Sequence, residues 1–239
     1  MILNHYVQGN SGETVLLLHS GGETALTENE FLSMQLQQNY KVIRMDLRGH
    51  GKSVSNDLDN YFIDCAHDVI ETLDYLNESD IHIIGASLGA LIALVINDIA
   101  THRVKSLVLT GIMTIKYEGF EESSKEEDTR LMEIIELDEV IKYMDDIHEG
   151  DWRKVITNDI GKDWYPFEYT SKLHLIDKPA LLCIGENAHH ELNGIEQLYM
   201  NDNVHIAIVP FAGHLANEMQ PELFSKIVET FLNEITERY

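Results

Sequence analysis

Cysteine is nearly absent from this chain: Cys65 and Cys183 are the two in 239 residues. That excludes a disulfide framework, and because both lie on apolar-patterned segments, reduced and buried thiols are expected. Proline is scarce too, with four residues, and no Pro/Gly linker, internal repeat or low-complexity tract marks a second independent domain. Basic side chains are heavily outnumbered, 17 Lys and Arg against 41 Asp and Glu, for a formal net charge of -24. Such a field repels phosphate backbones and anionic lipid surfaces, so nucleic-acid and membrane partners are disfavoured and a neutral or cationic small molecule is the expected ligand. No apolar run approaches the ~18 residues a membrane span requires, and the first six residues lack the basic flank and apolar stretch of a signal peptide, so the chain reads as cytoplasmic. What is present is 44% apolar, the composition of a soluble globular protein.

Short apolar runs alternate with helical patterns along the first 110 residues, at 14–19, 41–45, 81–86 and 104–110. Several are almost unbroken in Val, Ile and Leu, as in Val15-Leu16-Leu17-Leu18, which suits parallel strands covered on both faces. Between them, 61–77 has apolar residues at helical spacing, and 88–100 is apolar nearly all round, predicting a more buried second helix. This βαβ rhythm predicts a central, mostly parallel sheet. It stops after Thr110, where residues 118–139 carry ten acidic side chains against Lys125 and Arg130. Leu131, Ile134, Ile135, Leu137, Ile141 and Met144 keep an apolar stripe through the region, predicting amphipathic helices with a solvated acidic face. Farther on, Trp152, Trp164, Tyr165, Phe167 and Tyr169 either line a pocket or pack this insertion onto its base. The rhythm resumes at 180–185, followed by a helical stretch at 194–201, an apolar run at 204–210 and a closing amphipathic helix from Pro221 to about Thr236.

The sharpest local signal is Gly85-Ala86-Ser87-Leu88-Gly89, placed directly after an apolar strand and before an apolar helix. Small residues two before and two after the serine permit a tight strand-to-helix turn that lifts the Ser87 hydroxyl clear of the sheet, the exposure a nucleophile requires. Farther along, Phe211-Ala212-Gly213-His214 follows the last apolar run. A neutral imidazole there is suited to accept a proton from serine and return it to a leaving group.

With these motifs the chain resembles the α/β-hydrolase superfamily from about Thr14 to its C-terminus. Leu18-His19-Ser20-Gly21-Gly22 is similar to the family's His-Gly segment, with Ser20 in place of the usual glycine. The resemblance implies that the Gly21 and Leu88 N–H groups form the oxyanion hole, while His19 reads as a structural loop histidine. Asp46-Leu47-Arg48-Gly49-His50-Gly51-Lys52-Ser53 looks like the family's D-x-R-G-x-G-x-S loop. It also mimics a phosphate-binding loop, but Asp46 stands where the Walker pattern needs glycine, so the reading is architectural.

One landmark departs from the family pattern. After 180–184 the family has a glycine, two variable residues and the catalytic aspartate; here the segment is Gly185-Glu186-Asn187-Ala188. Alanine at that position cannot orient His214. Glu186 and Glu191 are the nearest carboxylates, neither at the expected offset, and the alternative position after the preceding core strand, Thr110-Gly111-Ile112-Met113, offers no acid. His189-His190 followed by Glu191 raises a metal site as a competing thought, but no H-E-x-x-H or paired-Cys spacing supports it.

The resemblance implies a three-layer α/β-hydrolase fold, with a core over 1–111 and 174–239 and a helical lid over 112–173. The activity implied is serine hydrolysis of a small neutral or cationic ester, with Ser87 as nucleophile, His214 as base, no metal and no cofactor. With Ala188 at the acid position, either the acid comes from elsewhere, or activity is impaired, or the chain does not run the full reaction. The alternatives are a ligand-binding or sensor protein of the same fold, or a non-esterase relative such as a C–C hydrolase, lactonase, thioesterase or lyase.

Overall fold

The computed structural model describes residues 1–9 and 11–238. Seven strands form one sheet: β1 (His5–Gln8), β2 (Thr14–Leu18), β3 (Lys41–Met45), β4 (Ile81–Ala86), β5 (Val104–Thr110), β6 (Ala180–Gly185) and β7 (Val204–Val209). Their spatial order is β1-β3-β2-β4-β5-β6-β7, with β1 antiparallel to β3 and every other pair parallel. The apolar runs form strands because both of their faces are covered. Leu16, Leu18, Ile83 and Leu109 face a core built with α2 (Tyr61–Tyr75) and α3 (Leu88–Ala100). Val15, Leu17, Ile84 and Val108 face the opposite core, closed by α1 (Glu30–Leu36) and the C-terminal helix, which carries Phe224, Val228 and Leu232. Alternate residues of one strand thus serve two cores, the physical content of three layers. Cys65 and Cys183 lie one in each core, buried and free.

Between β5 and β6 the chain leaves the sheet to form α4 (Phe120–Ile134), α5 (Asp138–Ile147), α6 (Trp152–Thr157) and α7 (Phe167–Thr170). α4 buries none of its residues, so its acidic side chains stay in solvent. This segment has a small core of its own, in which Ile135, Met144 and Trp152 are buried. Its aromatic residues also anchor it. Trp164 stacks on Phe62 of α2 at 6.2 Å, and the Tyr165 hydroxyl accepts from the Met113 N–H at 2.6 Å. After β6 come α8 (Ile195–Leu198), shorter than the pattern predicts, then α9 (Ala216–Met219) and α10 (Pro221–Arg238). Among the described residues, no helix is long and apolar enough to cross a membrane.

The register pairs Leu18 with Gly85, Ala86 with Thr110 and Gly185 with Val209. The C-terminal ends of these strands therefore collect the loops at one edge, where open α/β sheets hold their ligands. A close backbone approach there involves Gly89. A Cβ built on it would lie 2.3 Å from the Leu18 carbonyl oxygen, and one on Gly85 would lie 2.5 Å from the Gly89 carbonyl. Neither position has room for a side chain. Gly89→Ala is accordingly expected to lower stability by about 1–3 kcal/mol through overpacking. Urea unfolding followed by circular dichroism reads this directly, and an unchanged midpoint contradicts the proposed packing.

Candidate active site

Ser87 occupies the turn between β4 and α3 with φ 48° and ψ -113°, outside the regions comfortable for a non-glycine residue. Strain of this kind costs of order 1–3 kcal/mol and persists only where the surroundings over-determine it. Here the Ser87 N–H donates to the Thr110 carbonyl at 2.9 Å, fastening the turn to β5, while the Ala90 and Leu91 N–H groups close the first helical turn onto the Ser87 carbonyl.

His214 approaches from the loop after β7. Its Nε2 lies 3.0 Å from Ser87 Oγ, and its Nδ1 lies 2.5 Å from Glu191 Oε1. Glu191 is only 5% exposed, and its Oε2 is buried without a hydrogen-bond partner among the described residues. A carboxylate accepting from Nδ1–H leaves the Nε2 lone pair facing the serine hydroxyl, so the tautomer follows from the geometry.

Of the two carboxylates that the sequence leaves open, Glu191 is the one that reaches His214. Ala188 does stand at the family's usual position, where it packs against the main core. The chain then turns so that the Glu191 N–H donates back to the Ala188 carbonyl at 3.0 Å. That single turn advances the carboxylate three residues and delivers it to His214. Glu186 does something else: its Oε2 accepts the Phe211 N–H at 2.8 Å and braces the loop that carries His214. His190 stacks on Tyr117 with ring centroids 4.0 Å apart, so the adjacent His190 and Glu191 side chains serve different partners rather than a shared metal.

Burial holds the Glu191 carboxyl above the ordinary carboxylate range, a rise that its hydrogen bond to His214 only partly offsets. For His214 the enclosing walls work against the charged ring, but the hydrogen bond and charge of Glu191 outweigh them and raise its pKa. Because this folded-state value lies above the unfolded one, the pairing stabilises the fold fully below the unfolded pKa. The contribution is lost as pH rises through the folded pKa.

Gly21 and Leu88 both line the cavity of about 470 Å³ beside Ser87. Leu88 is the first residue of α3, so its N–H has no intrahelical acceptor and lies at the positive end of the helix dipole. Ser20, which replaces glycine in the motif, has a clear reason to be there. Its N–H and hydroxyl both donate to Glu28 Oε2, at 2.6 and 2.7 Å, and Glu28 Oε1 accepts from Asn217, three residues beyond His214. His19 is buried, donates to the Ser20 carbonyl at 2.7 Å and accepts the Leu47 N–H at 2.9 Å, and burial pushes its pKa down to about 4. In the Asp46 loop, the carboxylate accepts the N–H groups of Ala25 and Lys52 at 2.8 and 3.0 Å, the architectural role read from the sequence.

A second cavity of about 730 Å³ lies on the Ala188–Glu191 side of Ser87, and both cavities are walled by Met113, Phe120, Trp164 and Tyr165. Trp164 and Tyr165 thus do both things open to the aromatic residues of the insertion, packing onto the base and lining the pocket, whereas Trp152, Phe167 and Tyr169 pack without lining either cavity.

A family model described as the alpha/beta hydrolase fold matches residues 13–155, more than half of the chain. The chain belongs to that family. It is 21% identical over 249 residues to the esterase YbfF of Escherichia coli, covering 94% of this chain and 95% of that protein. It is 24% identical over 279 residues to epoxide hydrolase 4 of Homo sapiens, covering 98% of this chain and 76% of that one. Among solved structures, a thermophilic esterase from Thermogutta terrifontis superposes with a TM-score of 0.76 at 18% identity over 98% of this chain and 93% of its own, a likeness of fold. Together these support a hydrolase of the α/β fold.

The pairing makes a spectroscopic prediction. The His214 ring is expected to titrate above the ordinary histidine value and to move to lower pH in Glu191→Gln, while His19 stays neutral down to about pH 4. Imidazole ¹H–¹⁵N spectra follow both, and a His214 midpoint that ignores Glu191→Gln contradicts the pairing.

Proposed function

We propose that this chain is a cytoplasmic serine hydrolase that cleaves small carboxylic esters through Ser87, His214 and Glu191. The observation that carries the reading is the continuous contact of Ser87 Oγ to His214 Nε2 at 3.0 Å and His214 Nδ1 to Glu191 Oε1 at 2.5 Å. As Ser87 Oγ bonds to the ester carbonyl carbon, its proton passes to Nε2 and the carbonyl electron pair moves onto oxygen. The Gly21 and Leu88 N–H groups receive that oxyanion, and Glu191 stabilises the imidazolium by holding Nδ1–H. Collapse breaks the bond to the alkoxy group, which leaves with the Nε2 proton as an alcohol. Water repeats the sequence on the acyl-enzyme and releases the carboxylic acid.

The helices at 112–173 serve as the lid over this cleft. On the cavity wall Glu127, Asp128 and Asp159 outnumber Arg130 and favour an uncharged or cationic substrate over an anionic one. With Glu191 as the acid, Ala188 no longer motivates a binding-only or sensor reading.

Hydrolysis of p-nitrophenyl butyrate tests the assignment. Ser87→Ala is expected to abolish turnover, and Glu191→Ala to lower kcat by about 10⁴, the loss seen when a triad acid is neutralised. Ala188→Asp in the Glu191→Ala background asks whether the usual position can substitute. Retained turnover in Ser87→Ala, or a loss under about tenfold in Glu191→Ala, contradicts the mechanism.

A further inference from the structure

The three peptide groups around Gly21 and Gly22 are each held by a different histidine ring. Ser20 O, on the same peptide plane as the Gly21 N–H, accepts from His19 Nδ1–H at 2.7 Å. The Gly22 N–H donates to His50 Nε2 at 3.2 Å. The Gly22 carbonyl accepts from His148 Nε2–H at 3.1 Å. The rings stack edge to face, His19 against His50 at 5.1 Å and His50 against His148 at 5.7 Å between centroids, and all three are buried.

Each ring is fixed as a neutral tautomer by a backbone donor on its other nitrogen or by the loop it serves. The Leu47 N–H points at His19 Nε2, and the Gly51 N–H points at His148 Nδ1 at 2.8 Å. His50 Nδ1–H donates to the Arg48 carbonyl at 3.1 Å. Burial depresses the pKa of all three, so none carries a charge near neutral pH.

The origin of the rings gives the stack its meaning. His19 and His50 belong to the sheet loops, whereas His148 directly follows α5 in the helical insertion and reaches Gly22 from 126 residues away. Its neighbour strengthens the attachment, because the Glu149 N–H donates to the Gly51 carbonyl at 2.9 Å. Side chains of the same insertion, Met144 and Ile156, also lie against Gly22.

We propose that His148 is a positioning residue for the oxyanion hole: bonded to the Gly22 carbonyl, it ties the 22–23 peptide, the third of three successive peptides held by histidine rings, so that docking of the helical insertion completes the set of ties that aims the Gly21 N–H. This rests on the reading of Ser87 as nucleophile. Gly21 and Gly22 leave this loop free to turn about their own dihedrals unless the peptides that follow the donor are held as well, and an oxyanion donor acts only if it points at the charge that develops. The insertion therefore does more than cover the cleft. It holds the last of the ties that aim a donor, and an undocked insertion leaves the hole misaligned even when Ser87 and His214 are in place.

Two variants of the full chain separate docking from aiming. His148→Asn places a carbonyl oxygen where Nδ1 was and keeps an acceptor for the Gly51 N–H, but offers nothing to Gly22. His148→Gln places an amide N–H where Nε2–H was and keeps the donor to the Gly22 carbonyl. In ester turnover, His148→Asn is expected to lose about 10- to 100-fold in kcat with KM within about twofold, less than the 10²–10³ of deleting a donor outright. His148→Gln is expected to recover most of that loss. Equal kcat in the two variants, or a change confined to KM, overturns the proposal.

Amide exchange of the peptide containing residues 19–23, measured by mass spectrometry, reads the same tie without catalysis. It is expected to quicken in His148→Asn and not in His148→Gln. If the unmodified chain turns over no ester, the nucleophile reading fails and this exchange difference decides the positioning claim. Equal protection in both variants sinks it.

Discussion

The structure depends on one close backbone approach, where Gly89 at the start of α3 lies against the carbonyls of Leu18 and His19 at the end of β2. That contact lets α3 begin immediately after β4, which forces Ser87 into its strained turn and lifts its hydroxyl above the sheet. It also brings the loop after β2 beside the exposed N–H of Leu88. The proposed nucleophile and oxyanion donors therefore rest on a single packing constraint. The strain at Ser87 is held by the β5 carbonyl on one side and by the closed helical turn on the other. Such over-determination is what makes a disfavoured conformation persist.

Electrostatics completes what packing begins. Glu191 is buried with one oxygen on His214 and the other unpaired. Among the described residues that second oxygen meets no donor, so the carboxylate's influence falls mainly on the imidazole, whose other side stays open to the cleft. The loop before His214 is in turn braced by Glu186, and Asn217 just beyond it is tied through Glu28 to Ser20. The two sides of the cleft are thereby linked by the buried hydrogen bonds of Glu28 as well as by the insertion.

Much of this was legible in the chain. The unbroken apolar runs become the core parallel strands because alternate residues face two cores, and the spacing of glycines around Ser87 announces a turn that no larger residue could make. β1 was not legible: His5–Gln8 is a short, partly exposed antiparallel edge strand with no apolar pattern to mark it. Nor was α1, which buries only Leu32, Ser33 and Leu36 within seven residues. The choice between Glu186 and Glu191 was not legible, because an offset counted along the chain takes no account of the turn between Ala188 and Glu191 that carries the carboxylate to His214. Glu28, His50 and His148 carried no signal at all, since each acts on backbone groups brought near only by the finished fold.

The central claim is that Ser87 is activated by His214, itself held by Glu191. It is tested most directly by exposing the chain to an organophosphorus fluoridate and mapping the adduct by mass spectrometry. The account predicts a single adduct on the peptide containing Ser87, formed faster as His214 loses its proton and strongly slowed in His214→Ala. Labelling at another residue, or labelling of Ser87 at the same rate without His214, would contradict it.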